Sequence, residues 1–253
     1  MIYVVTHKPV SLPPMEGYRK IQAGAALHGA IPDCLGDDSG DNISSKNPFY
    51  CELTAIYWVW KNCDDDVKGL THYRRFWGRS AFASKAEDAY SSIELQKMLD
   101  EVDIVLPNVE FLKESVWEEL LVQCVPSADI LTRLRDIVLR QNPDYAEAFD
   151  GIFSSNRLTL FNMMLCGRDL FDAYCQWLFP ILFELEESID MNGWSDFQKR
   201  LYGFLSERLL NVWVRHERLR VRHLPVIQTE VSFVQKVNQA RRRVTNRIRF
   251  YLR

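Results

Sequence analysis

The sequence predicts an α/β fold, in which a Rossmann-type mixed sheet is flanked by helices and followed by a basic helical tail. Short continuous runs of apolar and β-branched residues, such as Ile2–Thr6 and Ile104–Pro107, are typical of strands buried inside a sheet. Longer segments with apolar residues at helical spacing separate these runs. The alternation of the two patterns predicts an α/β sheet, and polar residues cluster after several of the strands.

The composition is that of a globular protein with a large core. The chain has 253 residues, of which 47% are hydrophobic and 12% aromatic, so we do not expect disorder across the whole chain. The six cysteines form no Cys-x-x-Cys pair, which argues against a disulfide framework or a zinc site. The first residues lack a basic start before an apolar run, and no stretch of about eighteen apolar residues occurs. We therefore expect neither a signal peptide nor a membrane-spanning helix. The expected compartment is a reducing cytoplasm.

Six segments are predicted to be strands, since each is a short apolar run bounded by Gly, Pro or charged residues. They lie at residues 2–6, near 21, and at 67–70, 103–107, 158–166 and 221–227. Helices are predicted where apolar residues recur every three or four positions. The first of these segments begins at residue 45 or 47 and ends at residue 62. The others are residues 92–100, 116–125, 129–140, 145–149, 168–188 and 195–214.

Charge is divided unequally along the chain. The net charge is −3, but residues 208–253 carry twelve Lys or Arg and two acidic residues, whereas residues 1–207 carry nineteen and thirty-two. Such a split predicts an anionic partner for the C-terminal part. We predict a main domain at residues 1–230 and a basic amphipathic tail at residues 231–253.

The end of this tail combines basic and apolar residues in a helical pattern. Residues 236–253 contain seven basic residues and no acidic one. Val244, Ile248, Tyr251 and Leu252 share one helical face, opposite many of the arginines, which is typical of a helix that lies on an anionic membrane. The alternatives are a tail that docks on the acidic body and a tail that frays. Nucleic-acid binding is not expected, because no recognition motif accompanies the basic residues.

Polar and cationic side chains follow the first predicted strand. Thr6, His7 and Lys8 come at the end of its buried run, and Pro9 ends it. Ligands of open α/β sheets bind beyond the carboxyl ends of strands, so we predict that these three side chains contact a nucleotide. A plain exit from strand to loop explains the same pattern.

The most unusual segment is residues 69–77, GLTHYRRFW, at the end of the third predicted strand. His72, Tyr73, Arg74 and Arg75 place an imidazole, a phenol and two guanidinium groups on consecutive residues. A guanidinium group matches phosphate oxygens two at a time, so this segment predicts an anion-binding strand end. The alternative is a solvated basic turn whose aromatic residues pack in the core.

Three further places are candidates for substrate contact. Asp41 and Asn42 lie in a loop rich in Gly, Asp and Ser, with groups that suit a ribose or a sugar. Asn162 interrupts an apolar run, and a buried amide needs partners, so it either ties down a neighbouring loop or faces a ligand. Glu207 and Arg208 are adjacent in a predicted helix, where a structural ion pair explains them equally well.

Three blocks of sequence together resemble a known family. They are residues 40–44 (GDNIS) with 50–62 (YCELTAIYWVWKN), residues 69–75 (GLTHYRR), and residues 161–163 (FNM) with 203–209 (GFLSERL). In this order they resemble the bacterial capsular and exopolysaccharide biosynthesis family long labelled as a domain of unknown function, which includes galactofuranosyltransferases. The resemblance extends from residue 2 to residue 228 and leaves the basic tail outside it.

This resemblance implies a GT-A-like fold and an enzyme, an inverting glycosyltransferase of the hexosyl type. It implies transfer of a sugar, with galactofuranose as one candidate, from a UDP-sugar to a lipid-linked saccharide. The product would belong to a surface polysaccharide such as capsule or the O-antigen of lipopolysaccharide. The enzyme would be cytoplasmic and peripheral on the inner face of the bacterial cell membrane. The other interpretation is a non-catalytic module that binds a nucleotide sugar or a glycan within an assembly complex.

The resemblance also implies roles for individual residues. GT-A enzymes usually hold a divalent metal with an Asp-x-Asp motif at a central strand end, where this chain has His72, Tyr73 and Arg74. We therefore expect no cofactor, with manganese or magnesium as the less favoured alternative. We expect His72, Arg74 and Arg75 to stabilise the leaving diphosphate. Glu207 is the expected general base for the acceptor hydroxyl.

Two other carboxylates, Asp41 and Asp196, are alternatives for the base, and Glu207 could instead orient Arg74 or Arg75. The remaining predicted contacts with substrate or nucleotide are those at strand ends and in motif loops. They are Thr6, His7, Lys8, Asp41, Asn42, Tyr73, Arg75, Asn162 and Arg208.

Overall fold

The computed structural model describes residues 1–13 and 15–252, with the side chain of residue 251 left out. The strands in this part are β1 (Ile2–Thr6), β2 (Tyr18–Gln22), β3 (Leu35–Gly36), β4 (Val67–His72), β5 (Arg75–Trp77), β6 (Ile104–Pro107), β7 (Glu110–Phe111), β8 (Arg157–Leu158), β9 (Met164–Gly167), β10 (Val221–Leu224) and β11 (Val226–Gln228). The α-helices are α1 (Asn47–Tyr50), α2 (Leu53–Asn62), α3 (Ser92–Met98), α4 (Val116–Gln123), α5 (Ala128–Gln141), α6 (Ala146–Phe153), α7 (Arg168–Glu187), α8 (Asp196–Lys199), α9 (Leu201–His216) and α10 (Phe233–Tyr251).

The central sheet is mixed, with the strand order β10-β6-β9-β4-β1-β2-β3. All of these strands run parallel to one another except β9, which is antiparallel to both β4 and β6. The short strand β5 pairs antiparallel with the end of β4 and also with β11. The predicted α/β fold, a mixed sheet flanked by helices, is confirmed.

The two faces of the sheet bury different side chains. Successive residues of a strand point to opposite faces, so Tyr3 and Val5 of β1 join the large core beneath α2, α7 and α9. Ile2 and Val4 lie on the opposite face, which buries two smaller clusters. Ile2 belongs to the cluster that contains Trp77, and Val4 belongs to the other. Both faces of β1 are therefore buried, which explains its unbroken apolar sequence.

Gly69 lies in β4 at the start of the unusual segment. A Cβ atom at this position would lie 2.6 Å from Leu165 Cδ1 and 3.0 Å from Ile2 Cγ1. A larger residue would have to displace the side chains of Leu165 and Ile2, the cross-strand neighbours of Gly69 on β9 and β1. Glycine therefore leaves room on this face of β4 for the buried side chains of both neighbouring strands.

Two of the predicted elements are wrong in detail because the backbone turns within them. The predicted helix 45/47–62 is two helices, α1 and α2, separated at Cys51, whose φ is 52°. The predicted strand 158–166 is also broken. Phe161 and Asn162 have φ values of 83° and 49°, so the chain leaves β8 through a left-handed turn before β9 begins.

Two further segments are divided in the structure. The predicted strand 221–227 consists of β10 and β11, which part at Pro225, a residue that cannot donate a ladder hydrogen bond. The helical region 195–214 consists of α8 and α9, separated at Arg200. All six cysteines are free, as the sequence predicts.

The C-terminal tail is helical and lies against the body of the protein. Ser232 caps α10 in a reciprocal capping box with Gln235. Lys236 donates to the carbonyl of Ala83, and Asn246 Nδ2 donates to Phe111 O over 2.9 Å. In the described chain, no helix combines the length and apolar character that crossing a membrane requires.

Candidate active site

The ends of β1 and β4 bring the two predicted cationic segments together. These strands are parallel neighbours, and Val5 pairs with His72 in their register. The backbone N–H of Tyr73 donates to Val5 O over 3.1 Å, so the chain after β4 stays beside the chain after β1. Thr6 and Lys8 therefore reach the same edge of the sheet as Tyr73.

The side chains at this edge form a cluster that we call the cleft rim, consisting of Lys8, Arg74 and Glu230. Lys8 Nζ lies 4.8 Å from the centre of the Tyr73 ring, and the ring of His7 meets Tyr73 edge-on at 5.5 Å. Glu230, in the connection between β11 and α10, lies 3.2 Å from Arg74 and 3.6 Å from Lys8. Its bond to Arg74 lowers the pKa of Glu230, so the carboxylate stays ionised between the two cations.

A cleft of about 980 Å³ opens beyond this edge. The rim cations border it on one side, and α8 and α9 border it on the other. Its lining includes most of the predicted site residues, namely Thr6, His7, Lys8, His72, Tyr73, Arg74, Arg75, Asp196, Glu207 and Arg208. The structure therefore brings together residues from four separate parts of the sequence.

The floor of the cleft depends on the left-handed turn between β8 and β9. The N–H of Phe161 donates to Glu207 Oε1 over 2.8 Å, and His72 Nε2 donates to the carbonyl of Phe161 over 2.6 Å. Asn162 Nδ2 donates to Glu52 Oε1 over 2.7 Å, and its Oδ1 accepts from Ser206 over 3.1 Å. This turn is therefore bonded to the strand β4, to the helix α9 and to Glu52 at the start of α2.

The position of the proton on His72 follows from these bonds. Burial lowers the pKa of His72, with Arg75 acting in the same direction against the opposing effect of Glu52. The imidazole is therefore neutral near pH 7, with its proton on Nε2. It orients the Phe161 carbonyl, and the positive charge of this strand end rests on Arg74 and Arg75.

Glu207 and Arg208 form part of a buried ion-pair network. Arg208 is only 3% exposed, and it bonds Glu207 over 2.7 Å and Glu119 over 2.6 Å. Burial raises the pKa of Glu207, although Arg208 opposes this effect, and nearby Glu52 raises it further. A carboxylate in a cleft with a raised pKa has the properties of a general base. We call His72, Glu207 and Arg208, which all line the cleft, the cleft floor.

Arg75 lies beside the turn that supports the floor. Its guanidinium lies 4.4 Å from the centre of the Phe161 ring, and burial followed by the charge of Arg74 lowers its pKa. Its Nε is buried, and no described residue accepts a hydrogen bond from it. Such an unpaired buried donor is costly unless an anion binds there.

Three predicted contacts do not line the cleft. Asp41 accepts from the Tyr57 hydroxyl over 3.0 Å, and Asn42 bonds backbone carbonyls of its own loop. Asn162 is 2% exposed and turned towards its partners, so of the two interpretations the structure supports the loop-holding one. Their roles in binding a substrate remain predictions.

The cleft also contains charged residues that the sequence did not reveal. Glu52 lies at the start of α2, and Lys199 and Arg200 lie at the junction of α8 and α9. Arg200 Nε lies 3.3 Å from Cys51 Sγ, at the turn between α1 and α2. The adjacent Lys-Arg pair was the available signal, but it was included in one predicted helix, residues 195–214, and was assigned no role in a site.

An open sheet whose carboxyl edge holds a cation-lined cleft defines an α/β protein of the Rossmann type, with its ligand site beyond the strand ends. The chain belongs to the family described as Domain of unknown function (DUF4422), whose family model matches residues 1–218. No curated protein matches the chain.

One solved structure is closely similar. It is the apo structure of WbbM, described as a bifunctional glycosyltransferase, with a TM-score of 0.80 and 29% sequence identity. The match covers 91% of this chain and 45% of WbbM, so the chain spans less than half the length of that protein.

Proposed function

We propose that the chain is an inverting glycosyltransferase that moves a sugar from a UDP-sugar to a lipid-linked saccharide in the synthesis of a surface polysaccharide. Galactofuranose is the candidate sugar. The similarity to WbbM supports transfer of a glycosyl group in general. The donor, acceptor and pathway rest on the sequence resemblance.

One observation carries this proposal: the cations of two strand ends and a buried carboxylate of raised pKa share one cleft. Lys8, Arg74 and Arg75 lie where a diphosphate would approach the carboxyl ends of β1 and β4. Glu207 lies on the floor of the same cleft. Transfer by inversion needs both groups, one for the leaving diphosphate and one for the acceptor proton.

In the proposed step, the oxygen of the acceptor hydroxyl forms a bond to the anomeric carbon of the donor. The bond from that carbon to the diphosphate oxygen breaks, and its electron pair leaves with UDP. Glu207 takes the proton of the acceptor hydroxyl, while Arg74 and Arg75 stabilise the charge on UDP. The unpaired Nε of Arg75 is a donor available to this anion.

A divalent metal on the diphosphate does not fit the side chains at this strand end. His72 is the sole His, Cys, Asp or Glu among residues 72–75, and the neighbouring Arg74 and Arg75 would repel a cation. In residues 1–13 and 15–252, no three His, Cys, Asp or Glu side chains form a metal-binding group. We therefore assign the neutralisation of the diphosphate to Lys8, Arg74 and Arg75.

We further propose that α10 associates the protein with the anionic inner face of the membrane. Its docked side is polar, with Lys236 and Asn246 bonded to the body. Val244, Ile248 and Leu252 are 61%, 56% and 80% exposed. A docked helix that turns apolar and basic side chains outward has the surface of an interfacial helix.

The first experiment is a calorimetric titration of the protein with UDP, in EDTA and then with added manganese. We expect binding that EDTA does not change. Binding that requires manganese would contradict the assignment of the diphosphate charge to arginines. Absence of binding in both conditions would contradict the UDP-sugar donor and favour a non-catalytic module.

A further inference from the structure

A second groove, of about 1220 Å³, lies between α4, β7 and α10. It shares five lining residues with the cleft: Leu112, Glu119, Gln123, Leu160 and Phe161. The groove and the cleft therefore adjoin at the side where Glu119 holds Arg208. A molecule that extends from the groove into the cleft would pass Glu119, whose partner Arg208 is bonded to Glu207.

The acidic side chains of this groove already have partners. Glu110 is paired with Arg243, Glu114 with Lys113, and Glu119 with Arg208. Glu118 accepts the cap bonds of Ser115 at the start of α4. Each of these four carboxylates is therefore already bonded to another residue of the protein.

Three arginines of the groove are in the opposite situation. Arg241, Arg242 and Arg249 of α10 line the groove, and within the described chain none of them forms a salt bridge. Arg242 and Arg249 are seven residues apart, so they share a helical face with Asn238 and Thr245, which also line the groove. This face offers two guanidinium groups and two neutral hydrogen-bonding side chains.

Arg241 connects this face to the apolar side of the helix. Val244, Ile248 and Leu252 follow it at the third, seventh and eleventh positions, which places all four on one stripe. Val122 of α4 also lines the groove and is 80% exposed. The groove therefore has amide and hydroxyl groups, unpaired cations and the exposed side chain of Val122 side by side, and the apolar stripe of α10 continues from Arg241 at its edge.

From this arrangement we infer that the groove is the acceptor site, and that it takes a saccharide joined through a diphosphate to a lipid. The diphosphate contacts Arg241, Arg242 and Arg249, the lipid lies along the apolar stripe, and the saccharide extends towards Glu207. This inference rests on the proposed function, because it locates the acceptor of that reaction. It also assigns acceptor binding to α10, which lies outside the part of the chain that matches the family.

The test uses farnesyl diphosphate, below its critical micelle concentration, as a probe for the lipid diphosphate. Calorimetry compares the wild-type chain with the double variant Arg242→Glu, Arg249→Glu at physiological salt. Both residues are exposed on α10, so the fold should be unaffected. We expect the double variant to bind the probe at least about tenfold more weakly, since two charge-assisted contacts are replaced by repulsion. UDP binding should be unchanged, because neither Arg242 nor Arg249 lines the cleft.

Arg222→Glu is the matched control, since Arg222 is an exposed arginine of β10 that lines neither cavity. The acceptor site would be overturned if the double variant bound farnesyl diphosphate as tightly as Arg222→Glu does. It would also be overturned if the wild-type chain did not bind this probe. Probe binding that persists while UDP fails to bind would instead contradict the donor of the proposed function. In a transfer assay, the double variant should raise the KM of the acceptor and leave the KM of the donor unchanged.

Discussion

The rim and the floor of the cleft differ in how they hold their charges. On the rim, Lys8 and Arg74 are 49% and 42% exposed and share the exposed carboxylate Glu230. On the floor, Arg208 is 3% exposed and bonded to two carboxylates at once. Exposed ion pairs contribute little to the stability of the fold, and their charges exchange readily with solvent ions. Removing one member of a buried network leaves an unpaired buried charge and strongly destabilises the fold.

This difference indicates a division of labour between the two regions. A rim carboxylate held by two cations can be replaced by a phosphate, which makes similar contacts with them. The floor is bonded before any ligand arrives, so it can hold Glu207 at one place for proton transfer. The rim should therefore govern affinity for the nucleotide, and the floor should govern turnover and stability.

The largest effect is expected from Glu207→Gln. Glutamine retains an oxygen for the N–H of Phe161 but cannot take a proton, so turnover should fall roughly 10³-fold with little change in UDP affinity. Single-turnover transfer and calorimetry measure the two quantities. Glu184→Gln, at an exposed carboxylate bonded to Arg140, is the control. Near-normal turnover of Glu207→Gln would eliminate Glu207 as the base.

The pH profile of turnover by the wild-type protein provides a second check on Glu207. Burial raises the pKa of this carboxyl, and only the ionised form accepts a proton. Turnover should therefore be lost as the pH falls, and at a higher pH than for an ordinary glutamate. A profile that stays flat down to the usual pKa range of glutamate would contradict the buried base.

The next largest effect is expected from Arg208→Met, and the quantity that changes is the stability of the fold. The variant leaves Glu207 and Glu119 without their shared cation in a buried place, so the free energy of unfolding should decrease by about 3 kcal/mol. Urea denaturation measures it. Arg215→Met, on the same helix but 46% exposed, should change it by less than about 1 kcal/mol. Equal losses in both variants would remove the distinction between floor and surface.

Arg74→Ala tests the rim. Loss of one charge-assisted contact should weaken UDP binding about tenfold, while thermal stability stays close to that of the wild type. Arg79→Ala is a suitable comparison, because Arg79 is an exposed arginine paired with Glu94 outside the cleft. If both variants bound UDP as the wild type does, the rim would not be the diphosphate site.

The smallest effect is expected from Glu230→Gln. This variant frees Lys8 and Arg74 from a carboxylate that a diphosphate must displace, so UDP should bind about two- to fivefold more tightly. The gain should shrink at high salt, because exposed charges are screened. Weaker binding by Glu230→Gln would mean that Glu230 orients Arg74 for the nucleotide instead of competing with it.

The strand ends were predictable because their signals are local. The apolar run of β1 ends at Thr6, and the run of β4 leads directly to Arg74, so residue order alone placed cations beyond two strands. The cleft floor was not predictable in this way. Its turn at Phe161 and Asn162 has a left-handed backbone, although neither residue is a glycine. Because the surrounding residues are apolar, the sequence pattern predicted a strand there.

The sequence by itself determined the α/β alternation, the strand ends rich in cations and the basic amphipathic tail, because each depends on neighbouring residues or on a short period. The tertiary structure decided which side chains surround Glu207 and where the tail docks. Phe161 and Glu207 are bonded across 46 positions, and Arg74 and Glu230 across 156. Such contacts depend on how distant elements pack, so no local pattern of residues specifies them.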